Sequence, residues 1–195
     1  MKSRLPKTTE EWPVFSKRLV VFLDFLGFSD AVRKSEQGRL ARTLTLLTDI
    51  SSLQRPASID GVAQEDESYK ITLQPEITTF SDNLVLSYPL DVGNEEPVGQ
   101  LLLDFIVRDS QRYVSFVSYR ALQEEFLIRG GIAFGDLYHT AGVVFGVGMV
   151  EAYKLESEIA IYPRVAISPT IYSMASEETR RRFLRDQDRI FHLNY

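Results

Sequence analysis

The stretch Arg18–Ser29, RLVVFLDFLGFS, constrains this chain more than any other. Five consecutive apolar residues, Leu19 to Leu23, run into a carboxylate, Asp24, and then into Phe25-Leu26-Gly27-Phe28. An unbroken apolar run of this length predicts a strand buried on both faces. An ionised carboxylate beside such a strand is costly to bury unless a cation or several donors compensate it. Asp24 is therefore a candidate metal ligand, and the rest of the chain has to supply its partner.

The chain has 195 residues, enough for one domain. Its net charge of -5 argues against a protein whose main task is gripping a nucleic-acid backbone. The absence of Cys excludes a disulfide framework, thiolate zinc sites and a Cys nucleophile. Met1–Phe15 is rich in charge and lacks the apolar core of a signal peptide, and no stretch approaches the roughly 20 apolar residues of a membrane span. The expected compartment is the cytoplasm, without membrane or nucleic-acid partners.

Residues 1–17 read as a polar arm that Trp12 and Phe15 dock onto a body spanning 18–195. After the first strand, Gly27 permits a tight turn and Ser29 is the expected N-cap of a helix starting at Asp30. That helix turns Val32, Leu40, Leu44, Leu47 and Ile50 inward, and Gly38 weakens its middle. Arg55–Ser68 reads as a long mobile loop. Tyr69–Phe80 and Asn83–Tyr88 read as strands joined into a hairpin at Ser81-Asp82. Pro89–Pro97 is a loop before an amphipathic helix carrying Val98, Leu101, Leu102, Phe105 and Ile106 towards Ser118. Leu127–Tyr138 and Val143–Phe145 form a strand pair, and a Gly-rich stretch leads into a helix over Met149–Ser157. Arg164–Ser168 is a strand, Pro169–Arg185 mostly helix, and Arg189–Leu193 a final strand.

This order predicts an α+β fold with a ferredoxin-like βαββαβ core and appended C-terminal elements. In that topology the first and third strands are antiparallel neighbours, which places Asp24 close to Asp82. Strands lie about 4.8 Å apart, and two carboxylates at that spacing repel unless protonated or bridged by cations. Two divalent ions roughly 4 Å apart suit the pair. Taken singly, Asp24 also fits a helix cap and Asp82-Asn83 ordinary turn chemistry; their meeting favours a metal site. The loop Phe25–Ser29 then offers backbone N–H groups at a helix N-terminus to a triphosphate. His139 and His192 read as surface or strand residues, so a Ser-His-Asp hydrolase is disfavoured. The glycines between Gly130 and Gly148 serve either as bulges and turns or as places where backbone approaches a ligand or a second subunit. Arg180, Arg181, Arg182 and Arg185 read as a solvated helix face.

FLDFLGFS, then TTFSDNLVLS, then IRGGIAFGDLYHTAGVVFG with GMVEAYKLES resembles the catalytic domain of class III nucleotidyl cyclases over roughly Leu19–Ser168. More narrowly, VFGVGMVEAYKLES followed by AIYPRVAIS is similar to the bacterial pyrimidine cyclases of Pycsar anti-phage defence. Those enzymes are homodimers with active sites at the interface, and their cyclic UMP or cyclic CMP activates a separate effector. The resemblance implies that Asp24 and Asp82 hold two Mn²⁺ or Mg²⁺ ions, with the Phe25 backbone carbonyl as a further ligand. It places Gly27, Phe28 and Ser29 on the triphosphate loop and Thr78 among the nucleotide-binding residues. UTP is the expected substrate, ahead of CTP.

The departures from the family pattern carry information. Purine cyclases have a base-reading Lys where this chain has Ile77-Thr78-Thr79, and a base-reading Asp where it has Val147, which argues against ATP and GTP. Val150 stands at the position of a transition-state Asn and Lys154 at that of an Arg. Lys154 replaces part of that charge without a bidentate guanidinium, and Arg164 is a second candidate cation. A surface Lys and an Arg paired with a nearby carboxylate are the plain alternatives. Beside the cyclase reading stand a non-catalytic nucleotide-sensing module, a purine cyclase, and another phosphoryl-transfer enzyme on a related core.

Overall fold

The computed structural model describes residues 14–34, 37–52, 56–62, 68–90, 96–140 and 142–195. Most of the expected arm, Trp12 included, lies outside the described residues, as do the acidic cluster at 65–67 and the side chains of Leu40 and Val98. The first strand, β1 (Ser16–Leu26), starts inside the stretch expected as arm. Just before it, Phe15 packs edge-on against Phe145 at 5.8 Å and tilted against Tyr138 at 6.4 Å.

Two helical segments follow β1: α1 (Phe28–Lys34) and α2 (Gln37–Ser51). Ile50 is buried and Leu47 packs against the core as expected, whereas Val32 and Leu44 are exposed; the buried stripe of α2 runs through Thr43, Leu46 and Ile50. The expected loop 55–68 is corrected by β2 (Ala57–Val62), which pairs antiparallel with β3 (Ser68–Leu73) as a separate two-stranded sheet. The single strand expected over 69–80 is broken at Gln74-Pro75, since proline cannot donate to a ladder. Its second half is β4 (Glu76–Phe80), which forms the expected hairpin with β5 (Asn83–Pro89).

The long helix α3 (Glu96–Gln123) runs five residues beyond Ser118. It buries Leu102, Leu103, Ile106, Val107, Val114, Val117 and Ala121 at helical spacing, whereas Leu101 is substantially exposed. Then come β6 (Leu127–Thr140), β7 (Val143–Phe145) and α4 (Val147–Lys154), which continues into a π-turn over Leu155–Ile159. The chain closes with β8 (Val165–Ile167), α5 (Pro169–Met174), α6 (Glu177–Arg180), β9 (Phe183–Arg185) and β10 (Phe191–Leu193). The region Pro169–Arg185, expected as mostly helix, is two short helices followed by a strand.

The main sheet has the order β4-β5-β1-β6-β8-β10-β9, with β7 paired to β6. Its first four members reproduce the ferredoxin-like arrangement, with β1 antiparallel to both β5 and β6. As expected for a strand buried on both faces, Leu19–Leu23 are at most 2% exposed. Leu19, Val21, Leu23 and Phe25 join the larger core with buried residues of α2 and α3. Val20 and Phe22 face the other way, against Val85, Ala133, Leu137 and Ala152 of α4. Gly131 makes this second layer tight: a Cβ there would overlap the Ala152 carbonyl oxygen and Leu155 Cβ, so α4 rests on bare β6 backbone.

Candidate active site

β1 ends where the β4–β5 hairpin turns. Asp24 pairs with Asn83, and the Phe25 N–H donates to the Asp82 carbonyl at 3.0 Å. The hairpin turn is tight enough to hold Ser81 at a φ of 56°. On the other side of β1, Asp24 pairs with Arg129 of β6, and Arg129 Nε lies 3.3 Å from Asp24 Oδ2. The same nitrogen lies 2.5 Å from Oε1 of Glu156, whose side chain is 3% exposed. Neither contact has hydrogen-bond geometry, so the attraction is one of charge.

Glu156 reaches this point because α4 passes into the π-turn, closed by the Ala160 N–H donating to the Leu155 carbonyl at 2.8 Å. A π-turn shifts side chains out of helical phase, and such insertions recur at functional sites. Burial pushes the Asp24 carboxyl above the usual carboxylate range; Arg129 opposes this and the Asp82 charge adds to it. The Glu156 carboxyl is raised in the same way, by burial first, with Asp24 and Asp82 contributing. Two carboxylates, Asp24 and Glu156, thus share the Arg129 guanidinium with the Asp82 charge close by, and neither Arg129 nor Glu156 was anticipated from the sequence. An arginine and a glutamate 27 positions apart meet only through the β6–α4 packing that Gly131 permits.

A surplus of carboxylate charge at a sheet edge fits divalent cations. Among the described residues no three His, Cys, Asp or Glu side chains are gathered as a ligand cluster, so a divalent ion at this edge would rest on Asp24, Asp82 and backbone oxygen. The Phe25 side chain is core, edge-on to Phe126 at 6.4 Å, which leaves its backbone for the site. Gly27 adopts a φ of 90° with open space around it, so the turn demands glycine for its dihedral alone. The helix starts at Phe28, and the Ala31 N–H bonds to the Gly27 carbonyl at 3.1 Å. Ser29 is therefore an exposed first-turn residue and not the N-cap, a correction to the expected start at Asp30. The Phe28 ring leans on Phe126 at 6.2 Å.

The two expected cations are engaged elsewhere. Lys154 is exposed and pairs with Glu151 one turn back at 3.2 Å. Arg164 is 5% exposed and pairs with Asp188 at 2.6 Å and Asp186 at 2.9 Å, while donating to the Ile159 carbonyl at 2.7 Å. Its guanidinium therefore ties the π-turn to the β9–β10 connection. It borders a pocket of about 470 Å³ that is also lined by Tyr162, His192 and Tyr195.

Thr78 stands in a different setting. Cross-strand pairing sets Thr78 opposite Val85 and Val85 opposite Phe22, so Thr78 shares the sheet face of Phe22 and Asp24. Its hydroxyl is 3.0 Å from Nε2 of His139, whose Nδ1 is 2.7 Å from the Ser87 hydroxyl. Arg18 Nε donates to that same hydroxyl at 2.8 Å. Arg18, Ser87 and His139 are buried; His139 is a strand residue of β6, as expected, and its ring lies in the core and not at the surface. Burial pushes its imidazole down to about 4, helped by the Arg18 charge, so the ring is neutral at pH 7. The proton order follows from Arg18, which can only donate. Ser87 accepts from Arg18 and must place its own proton on His139 Nδ1, because a buried hydroxyl left unpaired costs about 1–3 kcal/mol. His139 then carries its proton on Nε2 and donates to Thr78.

No protein-family model matches the chain, and no curated protein matches it in sequence. Solved structures do match its fold. The adenylyl cyclase CyaB from P. aeruginosa superimposes with a TM-score of 0.53 at 12% identity, over 93% of this chain and 95% of that one. The monomeric guanylyl cyclase domain of the RhoGC fusion protein from Blastocladiella emersonii gives 0.56 at 16%, over 91% and 94%. A class III adenylyl cyclase-like ATP-binding protein from Pseudomonas aeruginosa gives 0.54 at 13%, over 93% of this chain and 39% of that one. This chain has the class III nucleotidyl cyclase fold.

Proposed function

We propose that the protein is a metal-dependent nucleotidyl cyclase that converts UTP, and CTP less readily, into the 3′,5′-cyclic nucleotide and pyrophosphate. The observation that carries this reading is the register that sets Asp24 against the β4–β5 turn beside Asp82, on a fold shared with adenylyl and guanylyl cyclases. Asp24, Asp82 and the Phe25 carbonyl hold two Mn²⁺ or Mg²⁺ ions. When bound, these ions lower the pKa of the ribose 3′-hydroxyl and neutralise the β- and γ-phosphates. The 3′-oxygen forms its bond to the α-phosphorus in line as the bond to pyrophosphate breaks, and the hydroxyl proton passes to water. The backbone at Gly27, Phe28 and Ser29 faces the triphosphate, Arg129 holds Asp24 in place, and Thr78 faces the base. The chain's contribution is positioning and charge.

The assembly is a homodimer with sites at the interface. Val143, Phe145, Val147, Val150 and Tyr153, on β7 and α4, are each at least half exposed. Apolar side chains concentrated on one layer mark a contact surface. The product serves as a second messenger in anti-phage defence, read by a separate effector that the cyclase does not contact.

Purified protein incubated with each of the four nucleoside triphosphates and Mn²⁺, with products resolved by mass spectrometry, tests the reading. Cyclic UMP is expected, and cyclic AMP or cyclic GMP alone would replace the pyrimidine reading with a purine one. A second reading, a nucleotide-sensing module without turnover, is favoured by one observation: Lys154 and Arg164 are both committed to local carboxylates. Nucleotide binding with no product from any of the four would establish that reading instead.

A further inference from the structure

We infer that Glu156 is a positioning residue for the metal site: by drawing the Arg129 guanidinium towards itself, it keeps the Asp24 carboxylate available to a divalent cation. This rests on the proposed reading of Asp24 and Asp82 as metal ligands.

Asp24 and Glu156 compete for one cation. Arg129 Nε lies 2.5 Å from Glu156 Oε1 and 3.3 Å from Asp24 Oδ2, so the guanidinium sits nearer the carboxylate that solvent barely reaches. The Glu156 side chain is 3% exposed and that of Asp24 16%, which leaves Asp24 as the one an arriving ion can meet. An arginine seated squarely on Asp24 would oppose that ion twice, by occupying the carboxylate and by like charge. Glu156 relieves both.

The fold fixes Glu156 in this role. Asp24 and Arg129 are cross-strand partners, and Arg129 leaves β6 on the same face as Gly131, two residues on. A Cβ on Gly131 would lie 3.1 Å from the Glu156 nitrogen, so bare glycine lets the backbone of Glu156 settle against that face. The π-turn then aims the side chain back towards Arg129. Arg164, itself held by Asp186 and Asp188, donates to the Ile159 carbonyl at 2.7 Å and fastens the far end of the turn. Glu156 is thus held from both ends.

A cation in contact with a carboxylate weakens its hold on a proton by about ten- to a thousandfold. A divalent ion meets the same opposition. Asp24 already shares Arg129 with Glu156, so the loss of Glu156 should act at the low end of that range, weakening divalent-ion binding about tenfold.

The test is a Mn²⁺ titration followed by electron paramagnetic resonance of the free ion, without nucleotide, so that base preference and turnover do not enter. It compares wild type, Asp24→Asn, Glu156→Gln, Glu156→Asp and the double variant Arg129→Met/Glu156→Gln, each checked for folding by circular dichroism. Glu156→Gln should bind Mn²⁺ about tenfold more weakly than wild type, because Arg129 falls back on Asp24. Glu156→Asp keeps the charge but is one methylene short of Arg129, and it should weaken binding in the same direction. Removing the arginine as well should return the affinity to the wild-type level or above, which no loss of structure would do. If that double variant fails to fold, Arg129→Gln/Glu156→Gln, with paired amides in place of the ion pair, takes its place. Wild-type affinity in Glu156→Gln overturns the inference. So does wild-type affinity in Glu156→Asp, which would make net charge the cause, and a loss that persists in the double variant, which would make Glu156 a ligand. These three results leave the metal reading in place, whereas a wild type that binds Mn²⁺ no better than Asp24→Asn overturns that reading and the inference with it.

Discussion

Acid should destabilise this fold through His139 in a window that its setting defines. The imidazole is 6% exposed, and burial with the Arg18 charge pushes it down to about 4 from an ordinary value of 6.5. In the unfolded chain the ring takes up a proton as pH falls through 6.5, while in the folded chain it does not until about 4. Between these values the unfolded state binds more protons, so stability is full above 6.5 and is lost as pH falls towards 4. At pH 4.5 the two protonation curves differ by about 2.5 kcal/mol, using 1.36 kcal/mol per pKa unit. Carboxylates also titrate there, so the informative quantity is a difference between proteins. Urea unfolding of wild type and His139→Gln at pH 7.0 and pH 4.5 isolates it, because glutamine preserves polar capacity without a titrating group. Wild type should lose about 2.5 kcal/mol more than the variant over that interval. Equal losses would refute the neutral buried imidazole and, with it, the proton order assigned to the Arg18–Ser87–His139–Thr78 chain.

Other perturbations follow from the same geometry. Arg129→Met strands the Glu156 and Asp24 carboxylates and should cost about 3–5 kcal/mol of stability in the absence of metal, with Glu156→Gln in the same chain restoring part of it. Chemical denaturation of both variants checks this. Gly131→Ala forces α4 away from β6 and should cost at least about 1–3 kcal/mol, with faster hydrogen exchange over 147–159 than elsewhere. Phe145→Asp combined with Val150→Asp charges the exposed apolar layer and should convert a homodimer to monomers in sedimentation velocity. An unchanged sedimentation coefficient would remove that face as the interface.

What the sequence revealed was what local pattern and topology specify. The run Leu19–Leu23 announced a strand buried on both faces, and the Ser81-Asp82 turn announced a hairpin. The β-α-β-β order then brought Asp24 beside Asp82. Elements whose composition contradicts their conformation were not legible. Ala57–Val62, with Asp60 and Gly61, has the chemistry of a loop and becomes a strand through pairing with β3. Leu44 is exposed because the stripe of α2 that meets the core runs through Thr43, Leu46 and Ile50, and a polar threonine at one of its positions hides that phase from a count of apolar residues. The Arg129–Glu156 pair and the burial of His139 depend on close packing between distant segments, to which no spacing rule has access. Arg164, read either as a candidate cation for the site or as an Arg paired with a nearby carboxylate, pairs with two later aspartates, Asp186 and Asp188, whose approach no local spacing announces.

The claim on which the account stands is that Asp24 and Asp82 hold divalent ions. Titration of Mn²⁺ followed by electron paramagnetic resonance, in the presence of 3′-deoxy-UTP, counts bound ions directly and does not depend on turnover. Wild type should bind two ions per chain, counting the one that accompanies the nucleotide, and Asp24→Asn and Asp82→Asn should each lower that number while retaining the wild-type fold by circular dichroism. Undiminished Mn²⁺ binding in both variants would contradict the metal site.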